Sequence, residues 1–158
     1  MANVKTNAMR ALDREKIEYK VHTYESKGKA LDGVTVAAKI SEPVEKVFKT
    51  LVTKGHSKAF YVFVIPVKEG LDLKAAARSV GEKSVEMIKV DEINKVTGYI
   101  RGGCSPIGMK KQYKTVLDKS SENFETIIVS AGKIGFQVEV SPQDLIKVVN
   151  VKVDHITE

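Results

Sequence analysis

One lysine in this chain stands where a lysine is costly. In Val47-Phe-Lys-Thr-Leu-Val52, period-two alternation puts Lys49 on the same face as the apolar Val47 and Leu51. An ammonium on such a face must reach water, an anion or a cavity. Two readings follow: a lysine snorkelling from a sheet edge, or a fixed cation aimed into a pocket to hold phosphate or ribose oxygens or to stabilise an oxyanion. A second segment, Gly102-Gly-Cys-Ser-Pro-Ile-Gly108, packs three glycines and a proline into seven residues. It is either a structural turn or a loop whose amide N–H groups approach a ligand closely. Lys110, Lys111 and Lys114 follow it and add positive charge suited to an RNA backbone.

Other reactive residues are weaker candidates. Cys104 lies inside the glycine loop, but no histidine or asparagine partner is readable, and a lone cysteine is usually inert packing. Ser130 ends an apolar strand and Tyr24 ends another, so each is placed to give a hydrogen bond to a site. His22, His56 and His155 have no metal-ligand spacing. Gly81-Glu-Lys-Ser84 is not a phosphate-binding loop, because its lysine does not directly follow the glycine and Ala76 stands where the first glycine belongs. No G-x-G-x-x-G is present. Nucleotide hydrolysis, dinucleotide binding and a histidine-held metal are therefore not expected, and no cofactor is called for.

Elements to position these residues are readable along the chain. Thr6 or Asn7 caps a helix running to about Lys16, with Met9 and Leu12 on its buried side. Glu18–Tyr24 alternates as a strand, Gly28–Gly33 is a glycine- and lysine-rich loop, and Val34–Ile40 is a short helix. Val47–Val52 and Ala59–Val67 form a hairpin, the second strand interior because Phe60–Ile65 is apolar on both faces. Leu73, Ala76, Ala77 and Val80 mark a helix closed by Gly81, and Asp91–Val96 another ended by Gly98. Thr115–Leu117, Thr126–Ser130 and Ile134–Val140 are strands, the last with Gln137 and Glu139 opposite Phe136, Val138 and Val140. Ser141 caps a final helix carrying Leu145, Val148 and Val149. The mixture is α/β (α+β) without strict β-α-β alternation, with a mixed, largely antiparallel sheet curled toward a barrel and helices around it.

Composition sets the setting. The 158 residues suit one domain spanning 1–158, with 42% hydrophobic and 29% charged residues. A single cysteine excludes an internal disulfide and a cysteine-based zinc site, and fits a reducing, cytoplasmic location. No signal-peptide core or membrane span is visible, so a soluble protein without a membrane partner is expected. The 26 basic residues outnumber the 20 acidic ones by six. That excess permits salt-dependent binding of a polyanion without establishing it.

Taken in order, Thr6-Asn-Ala-Met-Arg-Ala-Leu12, Val21-His-Thr-Tyr24, Phe48-Lys-Thr-Leu-Val52, Leu71-Asp-Leu-Lys74, Thr97-Gly-Tyr99, Gly102–Gly108 and Val129-Ser-Ala-Gly132 resemble the YbaK-type aminoacyl-tRNA deacylases, a family that includes prolyl-tRNA synthetase editing domains. The resemblance runs from about residue 5 to 150. It implies hydrolytic removal of a wrong amino acid, cysteine or alanine, from tRNA for proline, with Cys-tRNA(Pro) the leading substrate and prolyl-tRNA synthetase a partner in a ternary complex. It also implies that Lys49 is the most critical side chain and that the G-x-x-x-P loop, Gly102, Gly103, Ser105 and Pro106 included, grips the aminoacyl end. Tyr24, Thr50, Cys104, Ser130 and Gln137 are placed around the substrate. Cysteine-specific relatives carry aspartate at Gln137 and usually isoleucine at Cys104. No general base stands out, so the expected chemistry is positioning plus charge stabilisation, with the substrate's thiol or a water attacking. The rival readings are a non-catalytic tRNA- or synthetase-binding module, a deacylase for another amino acid such as alanine, and a small-molecule esterase.

Overall fold

The computed structural model describes residues 5–158, and its order is built around one strand that is apolar on both sides. Val62, Phe63, Val64 and Ile65 are all fully buried in β3 (Phe60–Pro66). Burying side chains of this size stabilises by about 1.5–3 kcal/mol each. Val62 and Val64 join the larger core beneath α1 (Asn7–Arg14) and α5 (Pro142–Val149), while Phe63 and Ile65 join a second core under α3 (Leu73–Val80). An interior strand of this kind needs a neighbour on each edge. β2 (Phe48–Gly55) pairs antiparallel on one side and β5 (Lys114–Asp118) pairs parallel on the other. β4 (Val85–Met87) and β8 (Val151–Asp154) complete a five-stranded sheet in the order β4-β2-β3-β5-β8.

A second, three-stranded antiparallel sheet has the order β1-β7-β6, from Lys20–Thr23, Phe136–Val140 and Ile127–Ser130. In β7 Val138 and Val140 pack into the larger core, and Gln137 and Glu139 lie on the other face, as the alternation predicts. That other face is covered by α2 (Gly33–Lys39), whose Ala37 meets Val47 and Ile128. A parallel bridge between Val47 and Ile128 joins the two sheets.

The fold is thus α/β with a mixed, mainly antiparallel arrangement. Among the described residues neither sheet closes on itself, and the barrel-like curl expected from the sequence gives way to two open sheets meeting at that bridge. The strands expected over residues 115–117, 126–130 and 134–140 do not form one group: the first belongs to the five-stranded sheet and the others to the three-stranded one. β4 and β8 carry three and four residues and were not anticipated. The caps follow the sequence closely. Thr6 and Ser141 accept from Met9 and Asp144 N–H groups, and Gly81 and Gly98 end α3 and α4 (Val90–Thr97) in the left-handed conformation. No helix among the described residues is long and apolar enough to cross a membrane.

Candidate active site

The junction of the two sheets leaves a cleft of about 130 Å³. Its walls come from both sheets and from two loops. The start of β2 supplies Phe48, Lys49 and Thr50, the ends of β6 and β7 supply Ser130 and Gln137, Tyr24 follows β1, and Gly102 and Cys104 come from the glycine loop. Val36 of α2 and Val67 close the apolar side. Register explains the grouping: Gln137 is opposite Ser130 on one side and His22 on the other, so Ser130 and Gln137 share a face at the same level of the sheet. Hollows of about 370 to 530 Å³ lie elsewhere on the surface, but none of them gathers residues from both sheets around a glycine loop.

Lys49 is half-buried and is paired in register with Ile65. Desolvation lowers its pKa below the usual lysine range, and the carboxylate of Glu69, in the turn after β3, works in the opposite direction. The side chain is therefore a cation facing the cleft rather than an ion-paired surface lysine. Next to it, the buried Thr50 Oγ1 has no hydrogen-bond partner. Ser130 Oγ accepts from Gly132 N–H at 3.2 Å, which leaves its own proton free to be donated into the cleft.

The glycine loop is held from behind. Tyr99 is 6% exposed and its hydroxyl donates to the Ile107 carbonyl at 2.6 Å. Burial is the main reason its pKa is pushed up to about 12, so it remains a hydrogen-bond donor at neutral pH. Gly132, at φ +95°, presses on this ring: a Cβ there would lie 2.8 Å from Tyr99 Cε1. Gly102, at φ +85°, meets the Gly28–Gly33 loop, and a Cβ there would lie 2.6 Å from Ala30 Cβ. Tyr99 thus links the glycine loop to Ser130 by way of Gly132, a role the Thr97-Gly-Tyr99 motif did not disclose.

Not every residue singled out in the sequence reaches the cleft. Gly103 is buried with its N–H donated to Ile100 at 3.0 Å, and Ser105 Oγ accepts from Ile107 N–H at 3.2 Å inside the loop. Pro106 is buried behind them. These three shape the loop, and the Gly103 amide is already committed. Burial pushes the Cys104 thiol up to about 11, so it is protonated at neutral pH and a poor nucleophile. Lys110, Lys111 and Lys114 are exposed but lie away from the cleft. Lys114 is in register with Tyr61, four residues along β3 from the partner of Lys49, or about 13 Å. Nearer the cleft, the exposed Lys29, Arg101 and Lys133 flank Ala30, Gly102 and Ile134, where three loops touch.

One cluster was not visible in the sequence. His22, Glu42 and Glu139 place ligand atoms within 4.8 Å of one another. The Lys46 ammonium occupies this cluster, 2.6 Å from Glu139 and 3.8 Å from Glu42, while His22 Nε2 lies 2.8 Å from Glu139. Thr126 also donates to the same carboxylate. Burial raises the Glu139 pKa, but the hydrogen bonds from Lys46, Thr126 and His22 outweigh it and hold the carboxyl at about 2. This is an ion-paired clamp between the turn before β2 and β7, and the two elements carry opposite walls of the cleft.

A fixed cation, a glycine loop and hydroxyl groups gather around a small cleft, an arrangement able to polarise an ester by electrostatics. The comparisons with known proteins narrow that class. Residues 30–148 match the aminoacyl-tRNA editing domain, and the chain belongs to that family. It is 42% identical over 153 residues to EbsC of Enterococcus faecalis, a protein assigned as a Cys-tRNA(Pro)/Cys-tRNA(Cys) deacylase, covering 97% of this chain and 93% of that one. The crystal structure of a protein described as a trans-editing enzyme for prolyl tRNA synthetase shares the fold at a TM-score of 0.84 and 22% identity, over 99% of both chains. A crystal structure of a hypothetical protein superposes at a TM-score of 0.87 with 19% identity, over 97% of this chain and all of that one.

Proposed function

We propose that this chain is a trans-editing hydrolase that cleaves the ester of mischarged tRNA for proline, with Cys-tRNA(Pro) as its leading substrate. The observation that carries the reading is the desolvated Lys49 cation in a cleft whose described lining contains no carboxylate. Such a cation stabilises negative charge as it develops on an ester oxygen or on the terminal ribose. The Ser130 hydroxyl, oriented by Gly132, and the unpartnered Thr50 hydroxyl supply further hydrogen bonds, with Tyr24 and Cys104 bounding the acyl end. Within the glycine loop Gly102 comes closest to the substrate, and Gly103, Ser105 and Pro106 hold its shape. The attacking group is a water or the thiol of the substrate itself, because Cys104 is protonated and no histidine is among the described residues that line the cleft.

The tRNA approaches over the rim formed by Lys29, Arg101 and Lys133, with Lys110, Lys111 and Lys114 as contacts farther from the ester. Prolyl-tRNA synthetase is the partner expected to present tRNA for proline, and the cytoplasm is the compartment where both occur. The identity with EbsC supports the choice of cysteine. The test is to replace Lys49 by Ala and follow deacylation of Cys- and Ala-charged tRNA for proline at two salt concentrations. The expected loss is about 100- to 1000-fold in turnover, with the circular dichroism unchanged. Near wild-type turnover by the variant refutes the reading. Binding without hydrolysis by the wild type would instead favour a non-catalytic module.

A further inference from the structure

We propose that Gln137 receives the amino-acid end of the substrate and that the cleft takes the α-amino group there as the free amine, not as the ammonium ion. This rests on the deacylase reading above. Gln137 is 6% exposed, lines the cleft, and makes no hydrogen bond through its carboxamide to any described residue. Thr50 Oγ1, on the same cleft, is buried and also unpartnered. A buried polar group without a partner costs about 1–3 kcal/mol, so the Thr50 hydroxyl is accounted for by a ligand that pairs with it, and the Gln137 carboxamide stands on the same cleft. Neighbouring polar groups offer less: Ser130 accepts from Gly132 and is left to donate, and the His22 ring turns to Glu139. The carboxamide is left as the group that both donates and accepts toward the acyl end.

Charge decides which form of the amine it meets. The titratable groups on the cleft are Lys49 from β2, Tyr24 after β1 and Cys104 from the glycine loop. Lys49 is the cation among them, and burial keeps the Cys104 thiol protonated. Glu69 acts on Lys49 from outside the cleft lining, and Glu139 is held within its clamp with Lys46. An α-ammonium entering this cleft meets one cation and no anion, whereas the neutral amine accepts a hydrogen bond from the Gln137 NH₂. An α-amino group titrates at about 7.7–8.0, so the productive form of the substrate grows steeply over the neutral range.

The experiment compares alanyl-tRNA for proline with its lactyl counterpart, in which a hydroxyl replaces the amine and nothing on the acyl group ionises. Titration of the enzyme's own groups acts on both substrates and cancels in the ratio of their kcat/KM values. With the wild-type protein, the alanyl-to-lactyl ratio is expected to rise about tenfold or more between pH 6 and 8.5. In Gln137→Glu the absolute rates fall as the new carboxylate pairs with Lys49. The ratio at pH 6 should nevertheless approach that at pH 8.5, because the ammonium then has a partner. Gln137→Met, of similar volume, is expected to lose about tenfold in kcat/KM on both substrates while keeping the pH-dependent ratio. A wild-type ratio constant from pH 6 to 8.5, or one unaltered in Gln137→Glu, overturns the proposal and leaves the deacylase reading standing. Failure to hydrolyse either substrate at any pH overturns both.

Discussion

Replacing Glu139 by Gln tests the clamp between the two walls of the cleft. The carboxyl is held at about 2, against 4.5 for a free glutamate. At roughly 1.4 kcal/mol for each tenfold change in proton affinity, that difference is worth about 3–4 kcal/mol at most. The side chain is 13% exposed and Lys46 is 19% exposed, so modest screening leaves about 2–3 kcal/mol. A folded-state pKa below the unfolded one means this stability is fully present above pH 4.5 and is lost as the pH falls toward 2. Urea unfolding of wild type and Glu139→Gln from pH 7.5 down to 3 measures the difference. The variant should be less stable by about 2–3 kcal/mol near neutrality, and that gap should shrink by about half or more at pH 3. In the variant His22 loses its charged partner and Lys46 keeps only the more distant Glu42, while the amide still accepts from Thr126. A gap that stays constant from pH 7.5 to 3 would refute the reasoning, because only an ionised Glu139 produces the pH dependence.

Two further outcomes follow from the same geometry. Tyr99→Phe removes the hydroxyl that donates to Ile107 at 2.6 Å and leaves a buried carbonyl unpaired, so urea unfolding should show a loss of about 1–3 kcal/mol. A change under about 0.5 kcal/mol would mean that the loop does not lean on this residue. Cys104→Ala should deacylate within about threefold of wild type, since a thiol protonated at neutral pH is a poor nucleophile. Rapid-quench measurement of turnover checks this, and a loss beyond about 100-fold would make Cys104 the attacking group after all.

Much of the local structure was legible along the chain because it depends on neighbours in sequence. Thr6 and Ser141 as caps, Gly81 and Gly98 as helix ends, the double-sided apolarity of Phe60–Ile65 and the alternation of Phe136–Val140 are all local signals. Lys49 was conspicuous for the same reason, being a charge on an apolar period-two face. The order of its motifs along the chain already resembles that of its family. Partnership across the fold was not legible. The split into two sheets rests on the Val47–Ile128 bridge and on strands as short as β4 and β8, whose pattern is too brief to carry a period. Lys110, Lys111 and Lys114 follow the glycine loop in sequence, but β5 carries Lys114 about 13 Å along the sheet from Lys49. Lys29, Arg101 and Lys133, far apart in the chain, are brought near one another because the loops that hold Ala30, Gly102 and Ile134 touch. Sequence alone determined which residues are able to do chemistry, since residue type and local period suffice for that. Tertiary structure decided which of them share a cavity and which charges are already spent on one another, because desolvation and ion pairing depend on distances that only the packed sheets set.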